Sequence, residues 1–156
     1  DLIVNVQGDE ALVNPNHIDT IVKVMKQNPE INVGILVNDF YKLNSPGDIK
    51  VVLNENDEVM YLSRSDIPSN ARTENPPLLK AYRILPFRKD FLLKYADWGK
   101  ECLEQIGFHE HLRILEKGCT IRAVRVDSNA ISVDTQSDLE TVRRIMETDD
   151  LFSIYG

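Results

Sequence analysis

Apolar positions recur at two periods along this chain, and the changes of period mark its elements. Leu2 to Val6 is a short run, mostly β-branched, and predicts a central strand bounded by Gly8. Ile18, Ile21, Val22 and Met25 then recur at helical spacing on one face. Asn14 suits the cap of that helix, Pro15 its first turn, where no backbone N–H is needed, and Pro29 its end. "INVGILV" predicts a second strand, "NSPGD" a turn, and "IKVVLNENDEVMYLSRS" a hairpin with two β-rich arms around "NEND". "DIPSNARTENPP" has no period and holds three prolines, which predicts a long loop of the functional or mobile kind. "LLKAYRILPF" predicts one further strand, and "RKDFLLKYADW" and "ECLEQIGFHEHLRILEKG" two helices, the second closed by Gly118 at C′. "TIRAVRV" alternates as a strand, and "TQSDLETVRRIMETDD" is the last long helix. Strands alternating with helices around a hairpin predict a single α/β domain over residues 1–156. Its sheet is expected to be mixed, mainly parallel and open, with an inserted β element at 49–88.

Composition narrows the partners. The 156 residues are 42% hydrophobic, enough for one real core. Lys and Arg number 18 against 25 Asp and Glu, a net charge of −7. Such a chain repels a phosphate backbone, so nucleic-acid binding is not expected, while a phosphorylated small molecule held through a metal stays compatible. No apolar run approaches the ~18 residues of a membrane span. Two cysteines, Cys102 and Cys119, are too few for a disulfide framework, and Cys102 is the better core candidate. Their scarcity fits a reduced cytoplasm. The chain opens directly in a strand, so its first residue is expected to fall inside a domain.

The chemistry-bearing signal is a pair of acids at strand ends. "VNVQGDE" ends a strand on Gly8, Asp9 and Glu10, where open α/β sheets place their ligands. Gly8 would let the chain turn and leave room above the strand. A plain strand-end turn accounts for Gly-Asp equally well. In "SVDTQSDL", Thr135 and Asp138 match a capping box, which leaves the Asp134 carboxylate unspent at the end of a short strand "AISV". The alternative makes Asp134 itself the cap. Two carboxylates at neighbouring strand ends suit one Mg²⁺, which takes oxygen ligands and shares them with substrate phosphates, the arrangement of nucleotidyl transfer.

"VNVQGDE", "VMYLSRSDIP", "EHLRILEKG" and "SVDTQSDLETVR", in that order, resemble the CMP-Kdo synthetases (3-deoxy-manno-octulosonate cytidylyltransferases) across nearly the whole chain. These bacterial enzymes activate an acidic eight-carbon sugar for lipopolysaccharide or capsule. The resemblance implies a nucleotide-diphospho-sugar transferase-like fold. It implies a reaction in which CTP and a 3-deoxy-2-ulosonic acid give the CMP-sugar and pyrophosphate. Asp9 and Asp134 resemble the two catalytic Mg²⁺ carboxylates, and Gln7 a residue beside sugar and nucleotide. Arg64 resembles a wall of the sugar site, Arg72 a partner of the sugar carboxylate, and Glu110 the sugar-facing acid of an "EQLR" pattern. A cytoplasmic homodimer is implied as well, with the inserted β element at 49–88 serving dimerisation.

The chain departs from the family's pattern on the sugar side. Ala11 follows "QGDE" where proline is usual. In the strand that reads "AYRILPFR" here, Ala81 and Leu85 stand at the places of a histidine and a tyrosine, and His111 replaces the glutamine of "EQLR". His111 reads equally as a helix-surface histidine. These changes spare Asp9 and Asp134, so the sugar is less fixed than the chemistry. The family's front strand and basic loop do not precede Asp1. Residues 1–156 alone are therefore expected to bind CTP poorly, with the first strand in the sheet interior or on an exposed apolar edge. Two further readings stay open: a cytidylyltransferase for another acidic sugar such as a nonulosonate, and a sugar-binding or dimerisation module without turnover.

Overall fold

The computed structural model describes residues 1–69, 71–73, 76–107, 109–129 and 131–155. The elements run β1 (Leu2–Val6), α1 (Pro15–Gln27), β2 (Gly34–Phe40), β3 (Lys50–Leu53), β4 (Val59–Ser63), β5 (Leu78–Tyr82), β6 (Ile84–Arg88), α2 (Lys89–Ala96), α3 (Cys102–Gly107), α4 (Leu112–Glu116), β7 (Arg122–Arg125), α5 (Gln136–Met146) and α6 (Asp150–Tyr155). Five strands form one sheet in the order β4-β3-β5-β2-β7, and β1 pairs with β6 in a separate ribbon. The mixed α/β class is as expected. The balance of strand directions is not: only β2 and β7 pair in parallel, and the other four ladders among the described residues are antiparallel. Parallel neighbours need a long crossover. Here the β3–β4 hairpin and the return through β5 fill the sheet with antiparallel neighbours instead. Residues 49–88 thus supply strands to the core sheet itself.

Two expected elements are divided. "LLKAYRILPF" is not one strand: β5 pairs with the second half of β2, whereas β6 pairs with β1, and the break falls at Arg83. One bridge, Val33 to Phe87, joins the ribbon to the sheet. Among the described residues β1 is paired on one side, with Ile3 and Val6 exposed, the apolar-edge alternative of the sequence reading. The expected helix over 101–118 is also split, into α3 and α4. Leu112 folds back onto Gly107, where a Cβ would stand 2.5 Å from its Cδ1, and no continuous helix permits that approach. Gly118 ends α4 at φ +71°, as its place at C′ requires.

The core lies on both faces of the sheet because strand side chains alternate. On β2, Ile35 and Val37 enter the larger cluster with Phe87, Phe91, Leu112 and Ile114, while Leu36 enters a smaller one with Ile21, Tyr82 and Ile84. α1 is held down by its cap, the Asn14 side chain accepting from Asn16 N at 3.0 Å, and by a close approach at Gly34. A Cβ at Gly34 would meet Ile21 at 3.0 Å and Met25 Sδ at 3.2 Å. The cysteine expectation reverses: Cys102 is exposed, and Cys119 is the half-buried one packed on the core. Among the described residues no helix is long and apolar enough to cross a membrane.

Candidate functional site

β1 runs out at Val6 into a turn in which Glu10 N bonds Gln7 O at 3.1 Å and Gln7 N bonds Arg83 O at 3.3 Å. Gly8 lies outside the left-handed region and a Cβ there would meet nothing within 4 Å, so the room above the strand is present but no backbone strain demands glycine. The turn is tied to the far end of the chain. Val133 N donates to Asp9 O at 2.9 Å, and Ser132 Oγ donates to Glu10 Oε1 at 2.8 Å. Residues 131–134 make this junction as irregular chain, not as the expected strand.

The capping box forms as read from sequence. Thr135 Oγ1 accepts from Asp138 N at 3.2 Å, and Thr135 N donates to Asp138 Oδ2 at 2.8 Å. Asp134 therefore stays outside α5 with its carboxylate turned to the 45–48 loop. A Cβ on Gly47 would lie 3.1 Å from Asp134 Oδ2.

Asp9 and Asp134 meet at a residue the sequence reading passed over. Arg83, at the β5–β6 break, sends its guanidinium between them: Nη1 pairs with Asp9 Oδ2, and Nη2 lies 3.1 Å from Asp134 Oδ2. Nη1 also donates to Gln7 Oε1 at 3.4 Å and Nη2 to Gly47 O at 3.1 Å. Glu10 stands behind, 3% exposed, its Oε1 accepting from Arg83 N at 3.4 Å and lying 4.0 Å from Nε. Burial pushes the Glu10 carboxyl above its ordinary range, against the Ser132 hydrogen bond and the charges of Lys80 and Arg83. Three carboxylates thus surround one guanidinium. A Mg²⁺ shared by Asp9 and Asp134 would have to stand about 2.1 Å from an oxygen of each, in the space between their Oδ2 atoms that this guanidinium fills. In this arrangement the pair does not accommodate it.

The 45–48 loop is fixed by a buried cation. Lys50 Nζ, wholly inaccessible, donates to Ser45 O at 2.6 Å, Asp48 O at 2.8 Å and Arg64 O at 2.6 Å, with Asp66 Oδ1 at 3.6 Å. Burial pushes its pKa down against the pull of both aspartates. Lys80 adds an ion pair to Asp48 at 2.8 Å. Arg64 Nη1 donates to Pro46 O at 3.0 Å, which sets it one residue from Gly47 and so at the rim of the Arg83 group. Arg72 is exposed in the 66–77 loop, and no described contact joins it to Asp9 or Asp134.

Glu110 and His111 form a separate group with His109. Glu110 Oε2 lies 3.7 Å from His109 Nδ1 and its Oε1 3.8 Å from His111 Nε2, while the two imidazoles meet edge to face at 4.8 Å. His111 is no surface histidine. It is 2% exposed, and burial drives its pKa down to about 3, so it is neutral at physiological pH. Glu110 is held at about 2, chiefly by its contact with His109. Ala81 and Leu85, at the places of a histidine and a tyrosine in the family's pattern, are buried in the core, 4% and 1% exposed. A cleft of about 500 Å³ opens where the parallel strands β2 and β7 end, lined by Asp39, Tyr41, Arg125 and Asp127 among others, but not by Asp9, Arg83 or Asp134.

Residues 1–147 match the family model described as "Cytidylyltransferase". The 3-deoxy-manno-octulosonate cytidylyltransferase of Fusobacterium nucleatum is 33% identical over 145 residues, which cover 91% of this chain and 59% of that protein. A solved CMP:2-keto-3-deoxy-manno-octonic acid synthetase complexed with CTP superposes with a TM-score of 0.87 at 32% identity, over 94% of this chain and 62% of that one. A putative glucose-1-phosphate thymidylyltransferase from Bacillus anthracis superposes at 0.64 with 12% identity, over 96% and 56% respectively, a likeness of fold alone. The chain spans about 60% of the length of the curated relatives it matches.

Proposed function

Because this chain belongs to the cytidylyltransferase family, we propose that the protein transfers CMP from CTP to the anomeric hydroxyl of a 3-deoxy-2-ulosonic acid, Kdo or a relative. The hydroxyl oxygen attacks the α-phosphorus, the bond from that phosphorus to the bridging oxygen breaks, and pyrophosphate leaves with the electron pair. The observation that carries this reading is the meeting of Asp9 and Asp134, from opposite ends of the chain, at one point beside Gln7 and the 45–48 loop. Mg²⁺ is the cofactor proposed for those two acids, with room there only once Arg83 gives up their shared position. Arg64, anchored on Pro46, is the cation placed to meet a sugar carboxylate at the rim, with Arg72 on the neighbouring loop as a second. A homodimer through the β4 edge, where Met60 and Tyr61 are exposed, and a cytoplasmic location where CTP is found complete the reading.

The cation between the acids also favours a second reading, a sugar-binding or dimerising protein without turnover. Pyrophosphate release by the parent protein with CTP, Mg²⁺ and a panel of acidic sugars separates them. Release with Kdo supports the transferase. Release with a nonulosonate alone moves the substrate, and no release with any sugar favours the second reading.

A further inference from the structure

We propose that Arg83 is the resident cation of the Asp9–Asp134 site, so that a divalent cation enters there only when the Arg83 guanidinium leaves. The proposal concerns metal binding alone and stands or falls apart from the choice of sugar. Its ground is a mismatch between charge and space. Asp9, Glu10 and Asp134 present three carboxylates to one guanidinium, while the neighbouring Lys80 is engaged by Asp48 at 2.8 Å. Glu10 Oε2 and Asp9 Oδ1 are buried and have no hydrogen-bond partner among the described residues. The group therefore keeps unsatisfied negative charge and would attract a cation. The space is nevertheless filled. A planar guanidinium bridging two different acids with its two Nη atoms uses the faces that a metal would need.

The arginine is also hard to displace by accident. Its backbone is held at both ends, by Glu10 Oε1 on Arg83 N and by Gln7 N on Arg83 O, and its side chain is held by Gly47 O. Only 17% of the side chain is exposed. Removing the side chain alone leaves the carboxylates, the backbone anchors and the 45–48 loop in place, with an opening sized for an ion and its water. The acids then behave as the hard oxygen site that their residue types suggest.

The test is titration with Mn²⁺, an oxygen-preferring ion whose unbound fraction is read by electron paramagnetic resonance, on folded protein without CTP or sugar. Wild type is expected to bind weakly, Arg83→Ala at least tenfold more tightly, and Arg83→Lys close to wild type. Asp134→Asn added to Arg83→Ala should return the affinity to the weak value. Circular dichroism checks folding, and if Arg83→Ala unfolds, Arg83→Gln, which keeps most of the volume but not the charge, takes its place with the same expected gain. Equal affinity in wild type and the arginine variant, tight or weak, overturns the proposal, as does a gain that survives Asp134→Asn.

Discussion

Two acid-centred groups in this molecule balance their charge in opposite ways. At the β5–β6 break the carboxylates Asp9 and Asp134 flank the guanidinium of Arg83. At the entry to α4, Glu110 lies between His109 and His111, and burial keeps His111 neutral. The first group is balanced by a guanidinium and the second leans on imidazoles. The second is poised by acid. A carboxylate's partner, more than the carboxylate itself, decides whether a site answers to protons or to other cations.

The sharpest way to break the contrast is Arg83→Ala. It strands the buried Glu10 beside Asp9 and Asp134 and should cost about 3 kcal/mol in urea denaturation, since breaking a largely buried ion pair leaves uncompensated charge. A loss under about 0.5 kcal/mol would mean that solvent already screens the group.

The histidine group should show itself through pH. A folded pKa of about 3 for His111 lies below its ordinary 6.5, so the unfolded chain takes up the proton first as pH falls. Stability then declines from about pH 6.5 downward by up to about 1.4 kcal/mol per pH unit. Glu110, held at about 2 against an ordinary 4.5, contributes stability above pH 4.5 that is lost between there and about pH 2. Denaturation at pH 7.5 and 5.0 should thus differ in wild type and differ much less in His111→Gln. An equal difference in both proteins would move the pH response elsewhere.

Thr135→Ala should cost about 1 kcal/mol through the lost cap of α5. The smallest structural effect belongs to Asp134→Asn. Asp134 is 41% exposed and the cap is not its own, so stability should change by about 0.5 kcal/mol or less while pyrophosphate release is lost. A large fall in melting temperature without loss of release would make Asp134 structural.

What the sequence revealed was mostly local. The Asn14 cap, the 49–65 hairpin and the Thr135–Asp138 box depend on residues a few positions apart, and all three form. Strand direction depends on distant pairing and was misread, and for the same reason the place of β1 stayed open between the sheet interior and an exposed apolar edge. The helix over 101–118 failed because its apolar spacing says nothing of Leu112 closing on Gly107. Resemblance marked Ala81 and Leu85 as departures on the sugar side, and only packing shows that both lie in the core. Arg83 carried a signal that went unused. A charged residue inside "AYRILPF" has to find a partner if that run is buried, and the acids already singled out, Asp9 and Asp134, were free to supply one.

The hydrogen bond from Ser132 to Glu10 joins residues 122 positions apart. Closing so long a loop has an entropic cost that must be met before the contact returns anything, and such contacts slow the search for the native state. Hairpin β3–β4 and the turn at α3–α4 can form early from neighbours in sequence. The two halves of the acid site meet only after nearly the whole chain is in place. The site is thereby the last part of the molecule to assemble, and ligand binding there reports on completion of folding rather than on its beginning.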